Sequence, residues 1–111
     1  MKEFKKIDDL GNITIFRLGE NAKDNHTLID DADKNDWWFH LDGESSGHCI
    51  VEKEIIDKED IIYASSLVKE KSKLKNETKV RICYTQVKNL KKTKNPGEVI
   101  LLKNPEKFVL K

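Results

Sequence analysis

The chain has 111 residues and is highly charged, with 21 Lys and Arg residues against 20 Asp and Glu residues and a net charge of +1. This length predicts one domain, residues 1–111, with a hydrophobic core of its own. No apolar run approaches the roughly 20 residues that a membrane-spanning helix needs, and no signal peptide is recognisable, so we expect a cytoplasmic protein without a membrane partner.

The first half of the chain alternates between strand patterns and turns. A short helix, about residues 22–32, is predicted between them, with Leu28 and Ile29 as its apolar anchors. The run from Trp37 to the end of the next strand is expected to form an antiparallel hairpin around a Ser- and Gly-containing loop. The four predicted strands are Phe4–Ile7, Ile13–Leu18, Trp37–Leu41 and His48–Glu52.

The second half begins with the most regular helical pattern of the chain. Apolar residues at spacings of three and four predict a helix over about 58–75, with Asp57 as its N-cap and Asp60 in its first turn. Alternation then predicts a strand over Lys79–Thr85, and Val99–Leu102 with Phe108–Leu110 are expected to pair as a terminal hairpin. The predicted fold class is therefore α+β, a mostly antiparallel sheet with two helices.

The two tryptophans are adjacent, at Trp37 and Trp38. Adjacent residues of a strand point to opposite faces, so Trp38 shares a face with His40 and Asp42, while Trp37 lies on the other. Such a strand is either buried on both sides or presents an aromatic ring and an imidazole to a ligand.

Neither the cysteines nor the histidines form a recognised catalytic or metal-binding motif. Cys49 and Cys83 lie in apolar segments and are expected to be buried thiols. His40 and His48 are expected to face each other across the hairpin, but no ligand spacing accompanies them, and structural histidines are the commoner case. The Ser46 loop lacks the elements of a nucleophile motif. We therefore predict no metal, no cofactor and no enzymatic activity.

Charge is strongly polarised along the chain. Residues 24–62 contain three Lys against twelve Asp and Glu, a net charge of −9, whereas residues 69–94 contain nine Lys and one Arg against two Glu, a net charge of +8. Either the two segments neutralise each other in the fold, or the second provides a basic face for phosphates. The candidate phosphate-binding residues are Lys71, Lys73, Lys75, Arg81, Lys88, Lys91, Lys92 and Lys94.

The Ser45-Ser46-Gly47 loop supports a nucleic-acid interpretation. Small residues let backbone N–H groups approach a phosphate, and Trp38 and His40 beside the loop are suited to stack on a base or a sugar.

The same residues resemble the NFACT-R domain, also called DUF814. The matching segments are Gly19-x-Asn21, Asp24-Asn25-x-x-Leu28, Asp36-x-Trp38-Phe39-His40, Ser46-Gly47-His48, Tyr84-Thr85-x-x-Lys88-x-Leu90-Lys91-Lys92 and Pro96-Gly97-x-Val99. The resemblance implies an RNA-binding domain, which in large NFACT proteins engages tRNA on stalled large ribosomal subunits during ribosome-associated quality control. This chain is more similar to short stand-alone members such as the coiled-coil-domain-containing protein 25 group, without their coiled coil.

The resemblance also implies a motif pocket. Because the family position before Trp38 is usually aliphatic, Trp37 is expected to be the core residue and Trp38 the motif residue. Asn21 either hydrogen-bonds at this edge or simply caps the first helix. The predicted pocket comprises Asn21, Asn25, Asp36, Trp38, His40, Ser46, Gly47 and His48.

The leading hypothesis is thus a non-catalytic module that binds structured RNA, tRNA or rRNA. The alternatives are a DNA-binding stand-alone protein and an adaptor that docks on a ribosomal or NFACT-type protein. Neutralising Lys91 and Lys92 together is expected to weaken RNA binding, and affinity is expected to fall steeply with salt.

Overall fold

A computed structural model describes all 111 residues and has the predicted α+β architecture. Its main sheet has six strands in the order β1-β2-β4-β3-β5-β8, each antiparallel to its neighbours, and β6 and β7 form a separate two-stranded sheet. None of its helices is long and apolar enough to cross a membrane. The elements are β1 (Lys2–Ile7), β2 (Ile13–Leu18), α1 (Ala22–Asp31), β3 (Trp37–Leu41), β4 (Cys49–Val51), α2 (Lys58–Glu70), β5 (Val80–Gln86), β6 (Leu90–Lys92), β7 (Val99–Leu101) and β8 (Glu106–Leu110).

The main sheet is buried on both faces. Phe16, Phe39 and other alternate residues of the central strands pack against Ala64 and Val68 of α2 in the larger core. On the opposite face, Trp38, Ile50 and Cys83 pack with Leu28 and Ile29 of α1. This two-sided cover explains why the central strands carry apolar residues at successive positions instead of a simple alternation.

The assignment of the two tryptophans differs from the expectation. Trp38 is only 2% exposed and belongs to the core on the α1 face of the sheet, the second core. Trp37 is half-buried at the margin of the larger core on the α2 face. The indole N–H of Trp37 donates to the carbonyl oxygen of Glu54 (2.7 Å). Trp38 is therefore the deeper anchor, because α1 and the β6–β7 sheet cover its face of β3, and the expectation that Trp37 rather than Trp38 is the core residue is wrong.

Helix α2 begins as predicted but ends earlier. Asp57 accepts a hydrogen bond from the Asp60 N–H (2.8 Å), and the Asp60 carboxylate accepts one from the Asp57 N–H (3.1 Å), which completes a capping box. The helix stops at Glu70 instead of about residue 75, because the Ser72 hydroxyl donates to the Lys69 carbonyl and accepts from the Leu74 N–H, replacing helical hydrogen bonds.

Asp60 links this helix start to the sheet. Its carboxylate is fully buried and contacts the ammonium groups of Lys6 (2.9 Å) and Lys53 (2.8 Å). Burial by itself raises the pKa of Asp60, but the hydrogen bonds from Lys53, the Asp57 backbone and Lys6 lower it below the ordinary value. The charged form is thus the stable one in the folded protein.

Replacing Asp60 with alanine is expected to lower the free energy of unfolding by about 2 kcal/mol, since it removes half of the capping box, leaves Lys53 without a carboxylate partner and leaves Lys6 with only the exposed Glu59. Urea unfolding followed by tryptophan fluorescence measures the loss. The neighbouring Glu59→Ala is the control, because the Glu59 side chain is 83% exposed. Equal stability of the two variants would contradict a structural role for Asp60.

The predicted pairing of the last two strands is wrong. β7 pairs with β6 (Leu90↔Leu101), and β8 pairs with β5 in the main sheet (Ile82↔Phe108). β6 was hidden in the sequence because its lysines resemble a solvated charged run. Gly97, at φ +81°, allows the tight Pro96-Gly97 turn between β6 and β7. β8 covers what would otherwise be an open edge of β5.

Candidate functional site

An open cleft of about 850 Å³ lies on the Trp38 face of the sheet. It is bounded by the start of α1, the end of β3 with the following loop, the segment that leaves α2, and the turn that enters β7. Its volume falls within the range of roughly 300–1,000 Å³ that is typical of small-ligand sites.

One wall of the cleft is a close junction between β2, α1 and the strand β4. The Gly19 N–H donates to the His48 carbonyl oxygen (2.9 Å), and the His48 N–H donates to Oδ1 of Asn25 (3.0 Å). A Cβ added to Gly19 would overlap the Asn25 side chain, and one added to Gly47 would overlap the Gly19 carbonyl oxygen. The two glycines therefore let three segments approach closely enough to pair their buried polar groups.

The N-terminus of α1 opens on the same cleft. Asn21 is the N-cap, and its side-chain oxygen accepts from the Asp24 N–H (2.8 Å). Asn21 also lines the cleft. The capping role proposed for Asn21 is thus confirmed, and the cap fixes the first turn of the helix at the cleft wall.

Three rings form the aromatic part of the wall. The rings of Trp38 and His40 stack, with centroids 5.4 Å apart and planes within 8° of parallel. His48 meets both rings edge-on, and its centroid lies 4.9 Å from that of His40, so the predicted approach of the two histidines is confirmed. Trp38 Nε1 and His48 Nδ1 are buried without a hydrogen-bond partner in the protein.

Both imidazoles are neutral near pH 7. Burial lowers the pKa of His48 to about 3, with a smaller contribution from the neighbouring His40. Burial also lowers the pKa of His40, although the contact between its Nδ1 and the Leu41 carbonyl oxygen (2.7 Å) opposes the shift. Because a carbonyl only accepts, Nδ1 of His40 carries the proton, and its Nε2 is an acceptor.

We expect the protein to lose stability as the pH falls below 6.5, because the unfolded chain then binds a proton at His48 that the folded protein does not bind. Between pH 6.5 and pH 4.5 this loss amounts to about 2 kcal/mol, and it continues toward the folded pKa. Urea unfolding at a series of pH values measures it. His48→Gln should show a shallower dependence on pH in this window, and an unchanged slope would contradict the assignment.

The loop after β3 is held by hydrogen bonds of Ser46 and by two ion pairs to other parts of the chain. The Ser46 hydroxyl accepts from the Leu41 N–H (3.1 Å) and donates to the Gly47 carbonyl oxygen (2.9 Å). Asp42 pairs with Lys107 (2.7 Å) and Glu44 pairs with Lys73 (2.9 Å). Ser46 therefore stabilises the loop, and the loop brings carboxylates as well as small residues to the cleft.

Seven of the eight predicted pocket residues line this cleft. Asp36 does not. It precedes β3 at the end opposite to His40, roughly 13 Å away along an extended strand, and its carboxylate accepts from the Asp33 N–H (3.0 Å). Burial raises the pKa of Asp36. The inclusion of Asp36 in the pocket is corrected accordingly: it organises the turn between α1 and β3.

The predicted phosphate-binding residues are more dispersed. Lys71 and Lys73 line the cleft, and the other six lie outside it. Of the ten cations in residues 69–94, two form ion pairs, Lys73 with Glu44 and Lys92 with Asp30. Eight are left without a carboxylate partner, so the acidic segment does not neutralise the basic one.

Some cleft residues were not predicted. Cys83 lies opposite His40 across β3 and β5, and its burial raises the pKa of the thiol to about 11, which keeps it protonated. The alternation of β5 places it on this face. Val99 and Leu101 reach the cleft through the β6–β7 pairing. The Pro96-Gly97 turn is a local signal for this pairing, but the lysines of β6 hid its first strand. No group of three or more His, Cys, Asp or Glu side chains is arranged to hold a metal ion.

Comparison with known proteins gives a family and a fold. The family described as the NFACT protein RNA binding domain matches residues 3–102. A solved structure, the C-terminal part of the fibronectin/fibrinogen-binding protein from Streptococcus suis, is similar with a TM-score of 0.85 and 23% sequence identity. The match covers 99% of this chain and 45% of that one, so the chain spans about half the length of the solved relative. No curated protein matches significantly.

Proposed function

This chain belongs to the NFACT protein RNA-binding domain family, and from that premise we propose that it is a non-catalytic, cytoplasmic module for structured RNA, tRNA or rRNA, in a setting akin to ribosome-associated quality control. The family consists of RNA-binding domains, which supports a nucleic-acid partner. The finer part of the proposal, which concerns the kind of RNA and the setting, rests on the resemblance together with the charges described above.

The observation that carries the proposal is the set of eight unpaired cations between residues 69 and 94. A lysine that already pairs with a carboxylate must break that pair before it binds a phosphate, whereas an unpaired lysine releases only water and counterions. Lys88 and Lys91 are exposed and unpaired near β6, and Lys71 is exposed at the cleft. Exposed lysines for phosphates and a shaped cleft beside them suit a folded RNA, which has both helical and unpaired parts, better than a regular double helix.

The test is an electrophoretic shift assay with labelled tRNA, unlabelled tRNA and duplex DNA as competitors, at about 50 mM and about 200 mM salt. We expect binding at the lower salt, weaker binding at the higher, and stronger competition by tRNA than by duplex DNA. Stronger competition by DNA would favour the DNA-binding alternative. No binding to either polymer at the lower salt would contradict the proposal, and a protein pull-down that survives nuclease treatment would then favour the adaptor.

A further inference from the structure

The aromatic stack in the cleft wall ends at a ring that is only partly covered. Trp38 is 2% exposed, and it stacks on His40, which is half-buried and lines the cleft. The stack therefore runs from the second core outward to the cleft. A planar ligand placed against His40 would continue it, because aromatic faces accept any base by stacking.

The polar atoms behind this stack are closed to a ligand. Trp38 Nε1 and His48 Nδ1 lack hydrogen-bond partners, but both atoms are buried, so a ring placed against His40 does not reach them. His40 Nε2 is an acceptor, since its Nδ1 proton is directed to the Leu41 carbonyl. The wall therefore presents an uncharged imidazole ring to the cleft.

The charges around the cleft disfavour a phosphate inside it. Four carboxylates line it, from Glu20, Asp42, Glu44 and Glu98, against two lysines, Lys71 and Lys73. Lys73 is already paired with Glu44. A phosphate in this position would meet more negative than positive charge, whereas a neutral ring would not. The unpaired cations outside the cleft are better placed to hold the phosphates of the same strand.

We propose that the cleft receives one unpaired nucleobase, turned out of the bound RNA, with its ring stacked against His40 on the side away from Trp38. This inference rests on the proposed RNA-binding function and adds to it a preference for an unpaired nucleotide over a continuous helix. Extruding a base that is already unpaired costs less than opening a base pair, so a bulge or an unpaired end is the preferred source.

Fluorescence anisotropy with five labelled RNA hairpins of the same stem tests the proposal. One has no bulge, one carries a single-nucleotide bulge, and one is abasic at the bulge. The last two carry a one-nucleotide 3′ overhang, with or without its base. The wild-type protein is expected to bind a base-containing hairpin about tenfold more tightly than its abasic partner. The bulge and overhang arms identify the source of the base.

Two variants of His40 separate stacking from hydrogen bonding by the imidazole. His40→Ala should lose the preference for the base but still bind the abasic hairpins, whereas His40→Phe, which keeps a planar ring, should retain most of it. Thermal melts by circular dichroism check that both variants fold. As a readout that needs no variant, 2-aminopurine at the bulge should be quenched when the wild-type protein binds, because it stacks on the aromatic wall.

The outcomes distinguish this inference from the proposed function. Equal affinity for base-containing and abasic hairpins, without quenching of 2-aminopurine, would overturn the inference and leave RNA binding intact. Absence of binding to every hairpin at about 50 mM salt would overturn the proposed function and this inference with it.

Discussion

Replacing Gly47 with alanine is expected to destabilise the protein by about 3 kcal/mol. The new Cβ would overlap the Gly19 carbonyl oxygen, which is backbone and has no rotamer to change. Relief requires the β2 and β4 ends to separate, and that separation weakens the hydrogen bonds from Gly19 to His48 and from His48 to Asn25. Both bonds join buried groups, so their loss adds to the strain.

The control for this prediction lies in the same loop. Ser45 is exposed, and Ser45→Ala is expected to change stability by less than about 0.5 kcal/mol. Urea unfolding followed by tryptophan fluorescence compares both variants with the wild type. If Gly47→Ala unfolds at the wild-type midpoint, the close junction does not support the fold as described.

Neutralising Lys88 and Lys91 together, as Lys88→Gln/Lys91→Gln, is expected to weaken tRNA binding by roughly 50-fold at about 0.1 M salt. Each phosphate contact makes the logarithm of affinity fall by about 0.9 for each tenfold rise in salt. Relative to about 1 M salt, one contact therefore raises the affinity roughly 8-fold at about 0.1 M, and the loss of two contacts multiplies these factors. Lys92 is a poorer choice than the sequence indicated, because it already pairs with Asp30.

A matched pair of lysines provides the control. Lys5 on β1 and Lys58 at the start of α2 are exposed and outside the basic segment and the cleft. Lys5→Gln/Lys58→Gln removes the same charge and should change the affinity by less than about threefold. Anisotropy titrations of both double variants separate a local phosphate contact from an effect of net charge. Equal losses in the two variants would indicate that only net charge matters.

The elements whose signals are local could be predicted from the sequence. The bounds of β2 and β3 agree with the predicted ones, since their apolar runs are flanked by turn residues. The start of α2 agrees because the capping box depends on four successive residues. The end of α2 does not agree, because the Ser72 hydroxyl donates a hydrogen bond to the Lys69 carbonyl oxygen. The spacing of apolar residues does not indicate this competing hydrogen bond.

Pairings between strands that are distant in sequence could not be predicted from local patterns. The sequence shows two apolar segments near the C-terminus but not that β8 pairs with β5 while β7 pairs with β6. Which of Trp37 and Trp38 is more buried could not be predicted for the same reason. It depends on how α1 and the β6–β7 sheet cover the Trp38 face of β3.

The candidate site was largely predictable because its residues lie at two chain reversals. The hairpin brings His40 to His48, and the glycines at 19 and 47 bring the start of α1 to the same point. Asp36 was misplaced because a motif that is contiguous in sequence spans the length of a strand. The ion pairs that occupy Lys73 and Lys92 depend on side-chain positions, so no sequence pattern marks them.

The salt dependence of tRNA affinity tests the central claim most directly, since it counts the phosphates that the basic segment neutralises. Anisotropy titrations from about 50 mM to about 200 mM salt give the slope for the wild type and for Lys88→Gln/Lys91→Gln. We expect a steep wild-type slope that becomes shallower by about two in the variant, with the Lys5→Gln/Lys58→Gln slope unchanged. Identical slopes for all three proteins would contradict binding of RNA by this segment.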